Sequence, residues 1–225
     1  MFFDSTFLLL IPVLLLAFYA QGKVTGNYKK YSKVRNSSNI SGAEVAQRIL
    51  QSNGILDVKI QEVEGQLTDH YNPKKHELNL SSDVYHGNSV AAISIAAHEA
   101  GHALQHASNY APLGIRSSIF PVANFGSMLA FPMFIVGLLL RTPLLMDIGI
   151  VLFAAALLFH VVTLPVEFNA SKRALNYLSN HVVANDTEMI GARKVLNAAA
   201  LTYVASTLMA LMQFLRLIIL RGSRD

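Results

Sequence analysis

Four long stretches without charged side chains constrain the fold of this chain more than any other feature. They cover residues 5–22, 117–140, 148–166 and 195–215. Each is about long enough to cross the roughly 30 Å hydrocarbon core of a bilayer as a helix. Only 14% of the residues are charged, whereas soluble domains carry about 25%. The sequence therefore predicts an integral membrane protein and argues against a soluble enzyme or a disordered chain.

The second and third stretches are separated by residues 141–147 alone. So short a connection predicts an antiparallel pair of helices. This hairpin returns the chain to the compartment that it left. The polar regions 23–116 and 167–194 are therefore expected on the same side of the membrane.

The basic residues predict which side that is. Nothing basic precedes the first stretch, and the segment after it is basic: Lys23, Lys29, Lys30, Lys33 and Arg35. The positive-inside rule then places the polar regions in the cytoplasm and the N-terminus outside, in a multi-pass protein of the cell membrane. A full fourth crossing would place the basic tail outside, so a half-inserted last stretch is the alternative. That tail carries Arg216, Arg221 and Arg224.

Charge and cysteine content limit the partners and cofactors. The formal charge is +4 and there is no cysteine. Disulfides and every cysteine-based metal or redox site are thereby excluded, so a metal would need His, Asp or Glu ligands. The basic residues adjoin apolar stretches, which indicates contact with the lipid bilayer and not with nucleic acid.

The first polar region has patterns of both helix and strand. Ser41 and Glu44 have capping-box spacing and open an amphipathic helix that ends near Ser52. Alternating residues 58–63 and 78–80, separated by a turn at 72–75, predict two strands of a small sheet. The second strand could be an edge strand that pairs with a substrate backbone, although most such strands only complete a sheet. A further helix is predicted from about Ser89 to Asn109.

This last helix carries His98-Glu99-Ala100-Gly101-His102, an H-E-x-x-H sequence. Histidines four apart lie on one face of a helix, so both can bind one Zn²⁺, and Glu99 can act as the general base of a peptidase. The surrounding residues are mostly Ala, Ile, Ser and Gly. Two histidines and a glutamate in so apolar a helix need a partner that offsets their desolvation. The alternative is a surface helix with two solvated histidines.

The third ligand determines the class of zinc site. His106 lies about 12 Å along the axis from His98, too far to share the ion. Ser108 stands where a metzincin has its third histidine, which excludes that class. Glu167 is the best candidate, because it follows the hairpin and returns to the compartment of His98. The competing candidates are His160, Asp147, His181 and Glu188; a helix-capping role is the alternative for Glu167.

Four segments in order along nearly the whole chain resemble the YugP-like neutral zinc metallopeptidases of bacterial membranes. They are residues 65–73, 96–105, 164–171 and 195–205. The resemblance implies a membrane-bound zinc peptidase with a protein or peptide substrate. The family is distantly similar to HtpX-like gluzincins, where a Glu after a membrane hairpin completes the zinc site, which supports Glu167. This chain has Ser171 where those enzymes commonly carry an acidic residue, and Asn169 where we expect Asp.

Further residues are candidates for contacts to the zinc ligands or to the substrate. Asp69, His70 and Tyr71 precede the turn, and a turn with an Asx-type hydrogen bond is their structural alternative. Arg173, Tyr177, His181 and Tyr203 are candidate donors to the oxyanion, and His106 is a candidate neighbour of the ligands. For each of these, ordinary packing or surface charge is the alternative.

We therefore predict a mainly α-helical integral membrane protein with about four membrane helices. Its cytoplasmic α+β catalytic region would be zincin-like and contain a small sheet. The expected segments are an anchor (1–22), a catalytic region (23–116), a membrane hairpin (117–166), a third-ligand helix with a return segment (167–194), and a last membrane helix with a basic tail (195–225). The predicted function is a zinc endopeptidase; the alternatives are an intramembrane-cleaving protease that uses Asp147 or His160 and a catalytically silent zinc-bound scaffold.

Overall fold

The computed structural model describes residues 5–183 and 185–222 and shows a mainly α-helical chain with one small sheet. This confirms the predicted fold class. After a 3-10 turn at Ser5–Leu10, the helices are α1 (Ile11–Tyr31), α2 (Gly42–Ser52), α3 (Ser82–Tyr85), α4 (Val90–Ala107), α5 (Ala111–Leu140), α6 (Pro143–His181) and α7 (Asp186–Gly222). The strands are β1 (Lys59–Val63), β2 (His70–Asn72) and β3 (Glu77–Ser81).

Four of these helical segments are long and apolar enough to cross a membrane: Ser5–Tyr31, Ala111–Leu140, Pro143–His181 and Asp186–Gly222. Each contains one of the predicted charge-free stretches. Three of these helical segments extend well beyond their charge-free stretches into polar sequence. The reason is that helix formation needs continuous backbone hydrogen bonding, which polar residues can also sustain, whereas the charge-free stretch marks only the apolar part.

The last helix runs without a break to Gly222. Near its end, the Nε–H of Arg221 donates to the Oδ1 of Asp147 over 2.9 Å. Asp147 lies in the second turn of α6, near the connection between α5 and α6. The end of α7 therefore lies beside this connection, and α7 is long and apolar enough for a full crossing.

The sheet has the order β1-β3-β2, with β1 parallel and β2 antiparallel to β3. Ile60 pairs with Leu78 on one side of β3, and Tyr71 pairs with Leu78 on the other. β3 is therefore the central strand, and the idea that it is a free edge for a substrate backbone is wrong. His70 and Tyr71, expected just before the turn, and Asn72, expected within it, form the second edge strand instead.

The described residues form two compact units. One contains the chain up to Ala20, residues 114–165 and the chain from Thr202 onward. In this unit Phe134, Met146 and Leu217 form a buried cluster. The helices α5 and α6 pack closely there, since a Cβ at Gly149 would lie 2.8 Å from the carbonyl oxygen of Ala130.

The other unit contains residues 21–113 and 166–201. Its core joins the sheet to α2, α4 and parts of α6 and α7. Fully buried members include Ile49, Leu78, Ile93, Leu178 and Leu196. The predicted capping box is present: Ser41 Oγ accepts from Glu44 N–H, and the Glu44 carboxylate accepts from Ser41 N–H. This unit holds every residue of the H-E-x-x-H sequence.

Candidate metal centre

The helix α4 places two histidines side by side. Ser89 caps its N-terminus by accepting from the N–H of Ala92, and no proline interrupts it before Ala107. His98 and His102 are one turn apart on this helix, and their ring centroids are 4.8 Å apart with the planes at 85°. The imidazoles thus face a common point from one side of α4.

A carboxylate from α6 lies beside the two imidazoles. The Oε2 of Glu167 lies 3.3 Å from the Nε2 of His98 and 3.7 Å from the Nε2 of His102. Only 2% of the Glu167 side chain is exposed, although a carboxylate is rarely so buried without a partner. The three residues are the one group in the described part of the chain whose ligand atoms could hold a metal ion.

The two helices can bring these groups together because Gly101 has no side chain. A Cβ at Gly101 would lie 2.8 Å from the carbonyl oxygen of Ala170 and 3.2 Å from its Cα. Real Cβ atoms do not approach backbone so closely, so α6 would have to move away. The glycine inside the H-E-x-x-H sequence therefore sets how near Glu167 comes to the two histidines.

The donor atoms fit a tetrahedral Zn²⁺ ion. With metal to ligand distances of about 2.1 Å, tetrahedral ligand atoms are about 3.4 Å apart. The observed separations from the Glu167 oxygen, 3.3 and 3.7 Å, agree with that value. All three ligand atoms lie within 4.8 Å of one another. Two imidazole nitrogens and one carboxylate oxygen, with a fourth position left for water, are typical of catalytic zinc sites.

The other nitrogen of each imidazole is held by a neutral group. Nδ1 of His98 is hydrogen-bonded to the Ser171 hydroxyl over 3.2 Å, and the Nδ1–H of His102 donates to Gln105 Oε1 over 3.0 Å. These contacts occupy Nδ1 of both rings and leave Nε2 facing Glu167. Ser171 thus occupies the place where the resemblance led us to expect an acidic side chain.

Gln105 also ties α4 to α6. Its Nε2 donates to the carbonyl of Val166 over 2.7 Å and to Asn169 Oδ1 over 3.1 Å. The side chain is fully buried. Its amide nitrogen donates two hydrogen bonds and its amide oxygen accepts one. Val166 directly precedes Glu167, so one amide orients the His102 ring and fixes the backbone beside the third ligand.

Asn169 and Arg173 extend this network. Asn169 Oδ1 accepts a second hydrogen bond from the Nε–H of Arg173 over 2.8 Å, and the Arg173 Nη2 donates to Ser108 Oγ over 3.3 Å. Arg173 had been a candidate oxyanion donor. In the structure its guanidinium instead joins α6 to the end of α4.

Sequence reasoning missed Gln105, although a signal for it existed. It stands three residues after His102, on the same side of a helix made of small apolar residues. A buried amide in such a helix needs several hydrogen-bond partners. What the sequence could not supply was the identity of those partners, because two of them lie on α6.

Glu99 is half-buried on α4 between the two histidines. Its negative charge acts on His102 and on Asp69, whose pKa values it raises. Asp69 accepts hydrogen bonds from the N–H and the hydroxyl of Ser81 over 2.8 and 3.1 Å. Burial raises the pKa of Asp69, and the hydrogen bonds from Ser81 oppose that shift. Asp69 is therefore near enough to Glu99 for their charges to interact.

His70 and Tyr71 lie on β2. The Nδ1–H of His70 donates to the carbonyl of Thr68, and its Nε2 accepts from Asn79. Burial, with the charge of Asp57, raises the pKa of Tyr71 to about 12. The hydroxyl of Tyr71 is hydrogen-bonded to Nδ1 of His106 over 2.8 Å. His106 thus binds the sheet and is not a member of the metal-binding group, as its spacing from His98 predicts.

The remaining candidates have other contacts. His181 packs against Tyr177 on α6, with ring centroids 4.7 Å apart. Glu188 accepts from the N–H and hydroxyl of Ser37 and from Asn185. Within the described chain, none of the competing ligands joins the metal-binding group: His160, Asp147, His181 and Glu188. Tyr203 lies on α7, outside the unit that holds α4.

Opposing effects act on the protonation of His102. Burial lowers the pKa of its imidazole, but the hydrogen bond to Glu167 and the charges of Glu99 and Glu167 raise it, and the net direction is upward. Without a metal ion, the pocket therefore favours a proton on His102. The same negative surroundings would favour a cation bound between the rings.

Comparison with known proteins agrees with this arrangement. Residues 6–222 match the model of a family described as "Putative neutral zinc metallopeptidase". The chain is 50% identical to the "Putative membrane protease YugP" of Bacillus subtilis (strain 168), over 94% of each chain. No solved structure matches it significantly. The protein therefore belongs to this family of neutral zinc metallopeptidases.

Proposed function

We propose that the protein is a membrane-bound, zinc-dependent endopeptidase of the gluzincin type. In this proposal His98, His102 and Glu167 are the metal ligands and Glu99 is the general base. The observation that carries it is the convergence of two imidazole nitrogens and a buried carboxylate oxygen next to a further glutamate. The family match to neutral zinc metallopeptidases and the name of the Bacillus relative support the same reaction class.

Bound zinc would lower the pKa of a water molecule and polarise the carbonyl of the scissile peptide bond. Glu99 accepts the proton of the attacking water and then passes it to the leaving amine, so that water is added across the peptide bond. Gln105 accepts from the Nδ1–H of His102 and so keeps that imidazole in the tautomer whose Nε2 is free to bind the metal, while Ser171 occupies Nδ1 of His98. The Tyr71 hydroxyl, which is committed to His106, is not an obvious donor to the oxyanion.

The cytoplasmic location of the catalytic region is part of the proposal. It rests on the five basic residues between Lys23 and Arg35, together with the four apolar helices. The substrate would then be a protein or peptide reached from the cytoplasm. The intramembrane alternative receives little support, because Asp147 is paired with Arg221.

The test is the substitution Glu99→Gln in the full-length protein. It removes the base and leaves both imidazoles, so we expect bound zinc to remain while hydrolysis of a denatured protein substrate falls by about 10²- to 10⁴-fold. Zinc content and hydrolysis are measured on the same preparation. The matched control is Glu64→Gln, since Glu64 is exposed; it should retain full activity.

A zinc-loaded parent protein without any hydrolysis would favour the scaffold hypothesis. Activity of the Glu99→Gln protein equal to that of the parent would remove Glu99 from the mechanism.

A further inference from the structure

A groove of about 300 Å³ lies between α6 and α7 in the unit that holds the metal centre. Lys172 and Arg193 line it from the two helices. Both side chains are exposed. No carboxylate lines the groove, and within the described chain neither residue forms an ion pair. Two cations that share one groove repel each other, so the groove is arranged for an anion.

The groove changes in polarity along its length. One end is lined by Phe168 and Ala200, while Lys172 and Arg193 lie farther from that end. At 1.5 Å per residue, Lys172 is about 6 Å along its helix from Phe168, and Arg193 is about 10 Å from Ala200. Phe168 is 49% exposed. The groove is therefore apolar at one end and cationic one to two turns away.

Along the helices, the apolar residues lie nearer the membrane-spanning stretches and the cations lie farther out, as do the acyl chains and the phosphate of a lipid. On α6, the charge-free stretch ends at residue 166, just before Phe168, and on α7 it begins at residue 195, just after Arg193. Both cations thus lie within about 10 Å of a membrane-spanning stretch. This is the depth of the headgroup region, which extends about 5 to 8 Å beyond the hydrocarbon on each side.

We propose that this groove binds the phosphate of an anionic phospholipid, with its acyl chains against Phe168. Lys172 and Arg193 contact the phosphate, and the Asn197 amide, which also lines the groove, can donate to it. Free phosphate offers the same anionic chemistry but leaves the apolar end without a partner. The inference goes beyond the proposed peptidase activity and does not rest on it.

The position of Ser171 argues against a peptide in this groove. Ser171 lines the groove, but its hydroxyl is hydrogen-bonded to Nδ1 of His98. The metal-facing nitrogen of that ring is Nε2, which lies beside Glu167. The groove therefore reaches His98 from behind the ring, whereas a substrate carbonyl must approach the face where the Nε2 atoms and Glu167 meet.

The test uses a single indole as a local probe, because the chain has no tryptophan. The full-length protein with Phe168→Trp is reconstituted in bilayers of phosphatidylglycerol and phosphatidylcholine at equal amounts, with bromine on the acyl chains of one lipid or the other. Two basic residues near the membrane surface favour an anionic lipid by a factor of about 30 at most. We therefore expect brominated phosphatidylglycerol to quench the indole several-fold more strongly than brominated phosphatidylcholine.

Two double substitutions test whether the lipid preference depends on the groove. Adding Lys172→Gln and Arg193→Gln should abolish the difference between the two lipids. Adding Lys29→Gln and Lys194→Gln, which removes the same charge from exposed residues outside the groove, should preserve it. Helix content and thermal unfolding equal to those of the parent show that each variant is folded.

Three results would overturn the proposal. One is equal quenching by the two lipids. Another is a preference that inorganic phosphate removes but chloride of the same ionic strength does not, which would indicate a site for free phosphate. The third is a preserved lipid preference in the Lys172→Gln, Arg193→Gln protein combined with a raised KM for an acidic peptide, which would make the groove a substrate subsite.

Discussion

Single polar side chains around the two histidines decide what the centre can do. Nδ1 of each ring is hydrogen-bonded to a neutral group, the Ser171 hydroxyl for His98 and Gln105 Oε1 for His102. Neutral partners fix the ring orientation without adding negative charge to a centre that already holds Glu99 and Glu167. A carboxylate in place of Ser171 would add a third acid close to the metal. The two imidazoles are therefore oriented by hydrogen bonds to neutral side chains and not by an additional charged residue.

The pH dependence of metal binding follows from the upward shift in the pKa of His102. A raised pKa means that the metal-free protein is stabilised by the proton at low pH and loses that stabilisation as the pH rises through the shifted value. Zinc must displace this proton. We expect the apparent zinc affinity, measured by competition with a chelator and corrected for the protonation of the chelator, to begin to fall above the ordinary histidine value of 6.5. The proton on His102 alone can lower it by up to about tenfold per pH unit. An affinity that stays constant on acidification to pH 6.5 would contradict the shift.

At the scale of elements, the close packing of α4 on α6 creates the centre. The sequence predicts much of this packing. Periodicity and the residues at the helix starts indicate α2 and α4, and the short connection between α5 and α6 indicates that Glu167 lies on the same side of the membrane as α4. The contacts across the two helices could not, because the partners of Gln105 depend on how α6 lies on α4. The strand β2 was missed for a related reason. It has three residues, too few for an alternating pattern, and it exists because β3 offers it a partner.

Gly101→Ala tests the packing of the two helices. Alanine favours a helix over glycine by about 1 kcal/mol, but here its Cβ would lie 2.8 Å from the carbonyl oxygen of Ala170. We expect the clash to dominate, with a loss of about 1 to 3 kcal/mol in stability and weaker zinc binding as Glu167 is displaced. The control is Gly26→Ala on α1, where a Cβ meets nothing within 4 Å. Thermal unfolding and zinc content are compared; an unchanged Gly101→Ala protein would show that the contact does not position Glu167.

At the scale of the whole molecule, four helices that can cross a membrane determine the topology. An even number of crossings brings both ends of the described chain to the same side. Basic residues are numerous next to the polar regions, in the segment from Lys23 to Arg35 and at residues 172, 173, 193 and 194. By the positive-inside rule, they support the proposal that the polar regions face the cytoplasm.

Single cysteines test this orientation, since the chain has none. Gln51→Cys places a thiol on the exposed side of α2, and Leu144→Cys places one at the turn between α5 and α6, where Leu144 is 66% exposed. An impermeant thiol reagent added to intact cells should label the Leu144→Cys protein and leave the Gln51→Cys protein unlabelled until the cells are opened. The reverse pattern would place the polar regions outside.

The central claim is that Glu167 completes a zinc site with His98 and His102, and zinc stoichiometry in purified variants tests it most directly. Loss of groups that orient a ligand already costs about 10- to 100-fold in metal affinity, so loss of the ligand itself should cost more. Glu167→Ala and the near-isosteric Glu167→Gln should lose most of the bound zinc. Asp147→Asn and His106→Ala, which alter groups bound to Arg221 and Tyr71, should each retain about one zinc ion per chain. Full zinc in Glu167→Ala together with loss of zinc in Asp147→Asn would contradict the account and favour an intramembrane site.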